Sequence, residues 1–239
     1  MKLFIAGDSI QAHNDITRFP LTGIGAGLML YLKHEIKIYN YARHGMSTKS
    51  YIEKGVFSLI EQEIGSGDML FIQFGHNDEK AFDESRFTEP FGSFKENLIT
   101  MVDAARKVDA IPVLITPLER RCFENASPPW NPDTGADVNR LGPGGHADYV
   151  EGMKQVAQEE QVALIDLYTL SRKKMEEAGP VETTKWFMHL RKGEYPAYPN
   201  GLVDNTHLKP EGAIVFAGLI AQELKKLGGQ YAEILVDGF

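Results

Sequence analysis

Five short apolar runs, each followed by a segment with helical spacing, constrain the fold of this chain more than any other feature. The runs are Lys2–Ala6, Glu35–Asn40, Asp68–Phe74, Ala110–Thr116 and Val162–Leu167, punctuated by Gly, Asn or Asp. Their apolar residues are consecutive rather than alternate, as a strand covered on both faces requires, and sheets covered on both faces are typically parallel with helical crossovers. Helical spacing recurs around Ile24–Lys33, Val56–Ile64, Phe91–Val108, His146–Glu160 and Gly212–Lys226. Strand then helix, five times over, predicts a doubly wound α/β sandwich. With 239 residues, 43% of them hydrophobic, the chain has material for one substantial core, and a single domain over 1–239 is expected.

In an open parallel sheet, ligands bind beyond the carboxyl ends of the strands, so the residues there carry the functional argument. Gly7-Asp8-Ser9 follows the first run and can present a hydroxyl from a tight turn near a helix start. The second run leads to Arg43-His44-Gly45, where a glycine N–H stands unshielded for a developing oxyanion. Beyond the third run, Gly75-His76-Asn77-Asp78 places an amide donor at the same edge. Late in the chain comes Asp204-Asn-Thr-His207, a spacing that lets the carboxylate hold one ring nitrogen while the other faces a nucleophile. Each of these four signals is by itself a common turn, cap or loop. Together they supply a nucleophile, a base, an orienting acid and oxyanion donors.

The formal net charge of −8 argues against general attraction to nucleic acid or to an anionic membrane, and no apolar stretch approaches the roughly 20 residues of a membrane span. The single cysteine, Cys122, excludes an intrachain disulfide and a multi-cysteine metal cage. The start MKLFIAGDSI is too short in apolar residues for a secretory leader, so a cytoplasmic location is expected. Neither His76 nor His189 sits in a ligand-spaced cluster, so neither a metal nor another cofactor is expected.

Two long connections, Pro117–Gly145 and Gly179–Asn205, are expected to be binding walls or lids. The presumed site loops are locally basic, with Arg43 and Lys49, Arg120 and Arg121, and Lys185, Arg191 and Lys192, a rim that would draw a uronate carboxylate. His44 stands beside them, and Trp130, Trp186, Tyr195 and Tyr198 offer flat apolar faces on which sugars could stack. Among these, Arg43, His44, Arg120, Arg121, Trp130, Trp186 and Arg191 are the candidate substrate-binding residues.

With these motifs in view, the chain resembles the SGNH hydrolase superfamily, through Ser9 in GDSIQ, Gly45 in ARHGMS, Asn77 in GHND and His207 in DNTHL. The resemblance runs from Gly7 to Gly212, and the GHND block with the DNTHLKPEGA ending is most similar to rhamnogalacturonan acetylesterases, which remove acetyl groups from pectin backbone sugars. It implies a flavodoxin-like sheet of five parallel strands and a Ser9-His207-Asp204 triad with the acid and base on one loop. It also implies an oxyanion hole made of the Ser9 and Gly45 N–H groups and the Asn77 side chain. Ile10 departs from the small hydroxyl residue that many members carry, and the missing leader suggests a small acetylated oligosaccharide as substrate rather than intact polymer. The G-x-S-x-G elbow of α/β-hydrolases is absent. Two readings compete: the same triad acting on acetyl-xylan, a lipid or a thioester, and a noncatalytic glycan-binding module in which the strand-end residues are only turns.

Overall fold

A computed structural model describes residues 1–123 and 146–239. Five strands, β1 (Lys2–Gly7), β2 (Lys37–Asn40), β3 (Met69–Gln73), β4 (Ile111–Ile115) and β5 (Ala163–Ile165), form one parallel sheet in the order β2-β1-β3-β4-β5. Side chains alternate between its faces. Leu3, Ile5, Met69, Phe71, Val113 and Ile115 pack on one side against α1 (Ile24–Gly27), α6 (Leu167–Thr183) and α7 (Pro210–Leu227). Phe4, Ala6, Leu70, Ile72 and Leu114 pack on the other against α2 (Thr48–Glu53), α3 (Val56–Glu61), α4 (Ser93–Lys107) and α5 (Ala147–Glu159). The result is the three-layer sandwich expected from the doubly apolar strand runs, closed by a short α8 (Gly229–Ala232). Among the described residues no helix is long and apolar enough to cross a membrane.

Local chemistry fixes where the helices begin. Ser47 caps α2 through a capping box with Ser50, satisfying donors that the first turn leaves open. Pro210 occupies the first turn of α7, where its missing N–H costs nothing, and Glu211 there and Lys225 and Lys226 at the far end match the helix dipole.

Two expectations change. The helical spacing at Ile24–Lys33 yields only the short α1 and a 3₁₀ turn, Leu28–Leu30. This stretch lies so close to α7 that a Cβ on Gly27 would sit 2.4 Å from the Ala213 carbonyl. The connection Gly179–Asn205, read as a long loop, is ordered: α6 continues past a break at Gly179 (φ 81°) to Thr183, and an antiparallel hairpin follows, β6 (Phe187–Leu190) with β7 (Leu202–Leu208). Its register jumps from Met188↔Asp204 to Phe187↔Leu208, so Asn205, Thr206 and His207 bulge from β7. Such a bulge re-aims side chains out of the ladder.

Candidate active site

The topological switch point of the sheet lies at β1, whose neighbours β2 and β3 lead to opposite sides. Ser9, Gly45 and Asn77 stand just beyond the carboxyl ends of these three strands. The Ser9 turn is held by Asp8, whose Oδ1 accepts the Ile10 N–H at 2.9 Å. Ser9 is nearly buried, and the β7 bulge delivers His207 to it: Nε2 lies 3.0 Å from Ser9 Oγ. On the other ring edge, His207 Nδ1 is 2.7 Å from Asp204 Oδ2. Asp204 Oδ1 accepts the backbone N–H groups of Thr206 (2.7 Å) and His207 (3.0 Å), so the bulge holds its own carboxylate. Burial alone would push the Asp204 carboxyl up, but these hydrogen bonds and the His207 charge outweigh it and hold the group at about 2. A hydroxyl, an imidazole and a carboxylate thus stand in one hydrogen-bonded line, an arrangement able to deprotonate the hydroxyl.

Facing Ser9, Gly45 adopts a left-handed φ of 72°, which a side chain would strain. Among the described residues neither the Ser9 nor the Gly45 N–H donates a hydrogen bond. Asn77 Oδ1 accepts Lys80 Nζ at 2.8 Å and Arg86 at 3.5 Å, both pure donors, which fixes the amide orientation. Its Nδ2 then donates one hydrogen to the Met46 carbonyl at 3.0 Å and keeps a second.

From this wall a polar line runs from the buried Asp8 to the buried His76 (3.4 Å), past the His146 ring (centroids 4.3 Å), to the partly exposed Glu79 (2.8 Å) and Arg120 (2.5 Å). Burial and the neighbouring His146 push His76 down to about 4, so it is neutral at pH 7.

The triad opens into a cleft of about 420 Å³ whose walls include Arg18, His44, Lys80, Arg120, Met188 and Tyr198. Of the expected substrate-binding residues, His44 and Arg120 line it; His44 Nε2 is 2.7 Å from Asn14 Oδ1, and Arg120 is paired to Glu79. Two of the other assignments, Arg121 and Trp186, are corrected. Arg121 is buried: its guanidinium donates to Thr183 Oγ1, Asn205 Oδ1 and the Pro180 carbonyl, clamping the β7 bulge to the end of α6. Trp186 is 7% exposed and packs edge-on against Phe216, so it offers no face to a sugar. Arg43 is exposed outside the cleft, with its guanidinium on the Ala42 carbonyl, and Arg191 lines a different hollow. Trp130 lies outside the described residues. Tyr198 reaches the cleft, while Tyr195 packs edge-on against Phe19. Sequence reasoning missed Arg18 and Lys80. Lys80 was legible three residues after Asn77; Arg18 reaches the cleft only through the fold of the loop after β1.

The fold and the site together define the class: a carboxylic ester hydrolase. The chain belongs to the GDSL-like Lipase/Acylhydrolase family, whose sequence pattern matches residues 3–220. It is 34% identical over 228 residues to the rhamnogalacturonan acetylesterase RhgT of Bacillus subtilis, spanning 95% of this chain and 91% of that one. It is also 34% identical to the probable rhamnogalacturonan acetylesterase YesY of the same organism, over 98% of this chain and 97% of the other. Its fold matches the crystal structure of the Bacillus subtilis protein YxiM with a TM-score of 0.76 at 23% identity, covering 100% of this chain and 58% of that one. An acetylxylan esterase from Geobacillus stearothermophilus, Axe2, matches with a TM-score of 0.59 at 15% identity, over 93% of each chain.

Proposed function

We propose that the enzyme removes acetyl groups from acetylated pectic, rhamnogalacturonan-type oligosaccharides through an acyl-enzyme on Ser9. The observation that carries the chemistry is the unbroken line from Ser9 Oγ through His207 to Asp204, at 3.0 and 2.7 Å. His207 Nε2 takes the Ser9 proton as Oγ attacks the acetyl carbonyl carbon, and Asp204 holds the proton on Nδ1 and stabilises the imidazolium. The Ser9 and Gly45 N–H groups and the spare Asn77 Nδ2 hydrogen receive the oxyanion. Collapse returns the proton from His207 to the departing sugar oxygen. Water then attacks acetyl-Ser9 by the same route and releases acetate.

Two features support the sugar. Both relatives at 34% identity bear the name rhamnogalacturonan acetylesterase. The cleft is lined by Arg18, Lys80 and Arg120, and among the described residues the Arg18 side chain forms no ion pair, which suits a substrate with uronate carboxylates. Steady-state rates on acetylated rhamnogalacturonan oligosaccharides, acetylated xylo-oligosaccharides and longer acyl esters decide between substrates. The expected result is the highest kcat/KM on the pectic oligosaccharides, with Arg18→Ala lowering that rate more than the rate on xylo-oligosaccharides. A preference for xylan or for long acyl chains refutes the substrate assignment. Organophosphate labelling at Ser9, absent in Ser9→Ala, tests the nucleophile, and failure of Ser9 to react removes the acyl-enzyme.

A further inference from the structure

The β6–β7 hairpin has two faces, and only one belongs to the cleft. Met188, Leu202 and Asp204 line the cleft, whereas the alternate residues His189 and Val203 line a second hollow of about 640 Å³. Among the described residues four cations line this hollow, Lys185, Arg191, Lys192 and Lys209, against one lining carboxylate, Glu194. Lys185 is paired with Glu182 at 2.6 Å, and Glu194 accepts the Arg191 backbone N–H at 2.8 Å. Among the described residues the side chains of Arg191, Lys192 and Lys209 form no ion pair. Lys209 is half-buried, and burial pushes its ammonium down. Glu211 and Glu194 oppose that shift without cancelling it, so the partly desolvated ammonium is left under-compensated, an arrangement that an incoming anion relieves. On a chain of net charge −8, this lining carries more cations than carboxylates.

We propose that this hollow is a subsite for the carboxylates of an acidic oligosaccharide, occupied by uronate residues of the substrate that extend beyond the catalytic cleft. It rests on the substrate reading given above for that cleft. The shape favours an oligosaccharide over a single small anion. The hollow holds about 640 Å³, room for more than a small inorganic anion, and the exposed Val181 and Val203 in its lining offer apolar area to a sugar face. The two sites share the hairpin as a common wall, so a chain passing over it can engage both, and each engagement strengthens the other through effective concentration.

Calorimetric titration of the full chain with an unacetylated galacturonate oligomer tests the subsite without turnover. Saturable binding is expected, weakened about tenfold or more by Arg191→Ala, Lys192→Ala and Lys209→Ala together and weakened less by Arg18→Ala, which leaves the hollow intact. Circular dichroism monitors the fold of the triple variant. Should it unfold, the exposed pair Arg191→Ala and Lys192→Ala alone is expected to weaken binding in the same direction. Unchanged affinity in these variants, loss of binding only in Arg18→Ala, or equally tight binding of polyaspartate each overturns the proposal. Binding at the hollow without turnover of acetylated pectic oligosaccharides sinks the substrate reading and leaves the subsite standing; turnover with unaltered oligomer binding in the variants does the reverse.

Discussion

Replacing Asp204 by asparagine perturbs the site at one atom, and the structure dictates which. Asp204 Oδ1 accepts two backbone N–H groups, from Thr206 at 2.7 Å and His207 at 3.0 Å, so it must remain an oxygen. The new NH₂ is therefore forced into the Oδ2 position, 2.7 Å from His207 Nδ1. Two donors cannot face each other, so Nδ1 gives up its proton and Nε2 acquires it. The imidazole then points a hydrogen at Ser9 Oγ and can no longer accept one. In a serine protease of unrelated fold the same exchange costs about 10⁴ in kcat, equivalent to about 5 kcal/mol of barrier. Here the side chains of His207 and Asp204 are 31% and 26% exposed, which lets water partly substitute, and we expect a loss of about 10³–10⁴ in kcat. The assay is the initial rate on 4-nitrophenyl acetate at saturating substrate, with thermal unfolding run alongside. A variant that keeps a tenth of the wild-type kcat refutes the tautomer argument.

Asn77→Ala removes an oxyanion donor and should cost about 10²–10³ in kcat on the same substrate, while near-normal turnover would take the amide out of the mechanism. His76 and Asp78 make opposed contributions to stability. Burial and His146 depress His76 from 6.5 to about 4, so its contribution is complete above pH 6.5 and is lost as pH falls toward 4. Burial raises Asp78 from 3.8 to about 7, so its contribution is complete below pH 3.8 and is lost as pH rises toward 7. Relative to wild type, His76→Gln should therefore lose stability, and Asp78→Asn gain it, as pH rises between about 4.5 and 6.5, each by up to about 1.4 kcal/mol per pH unit in urea titrations. Parallel curves for wild type and variants would show that neither group titrates there. Gly212→Ala places a Cβ 2.2 Å from the Trp186 carbonyl at the start of α7 and should destabilise by about 3 kcal/mol, read as a lowered Tm; an unchanged Tm would mean that the close approach relaxes freely.

The parallel sheet was legible because a strand buried on both faces is mostly apolar, so LFIA and MLFI declare themselves. Ser9, Gly45 and Asn77 followed from the strand ends, which such a sheet fixes in space. The hairpin was hidden for the opposite reason. In LVDNTHL polar side chains serve the bulge and the site, Asp204 holding the backbone of Thr206 and His207 and Asn205 accepting from Arg121, and the apolar alternation that marks a strand disappears. Arg121 reads as a surface cation until Thr183 and Asn205, far away in sequence, are brought to its guanidinium. Trp186 reads as a sugar platform until Phe216 of α7 covers it. Cleft walls and core fillers share residue types, and only tertiary contacts separate them.

The division of labour between sheet and hairpin has a thermal consequence. Nucleophile and oxyanion donors ride on the large parallel sheet, but the base and its carboxylate ride on a two-stranded ribbon, a size that is marginal by itself. Among the described residues that ribbon reaches the main core only through Phe187 and Leu208 at its base, and is otherwise fastened by a small cluster of Leu21, Met188 and Leu190 and by the buried Arg121 clamp. On warming, the ribbon should detach as its own cooperative unit, extinguishing turnover while most of the helix signal survives. Catalysis would then be a thermometer for the smallest part of the molecule rather than for the whole.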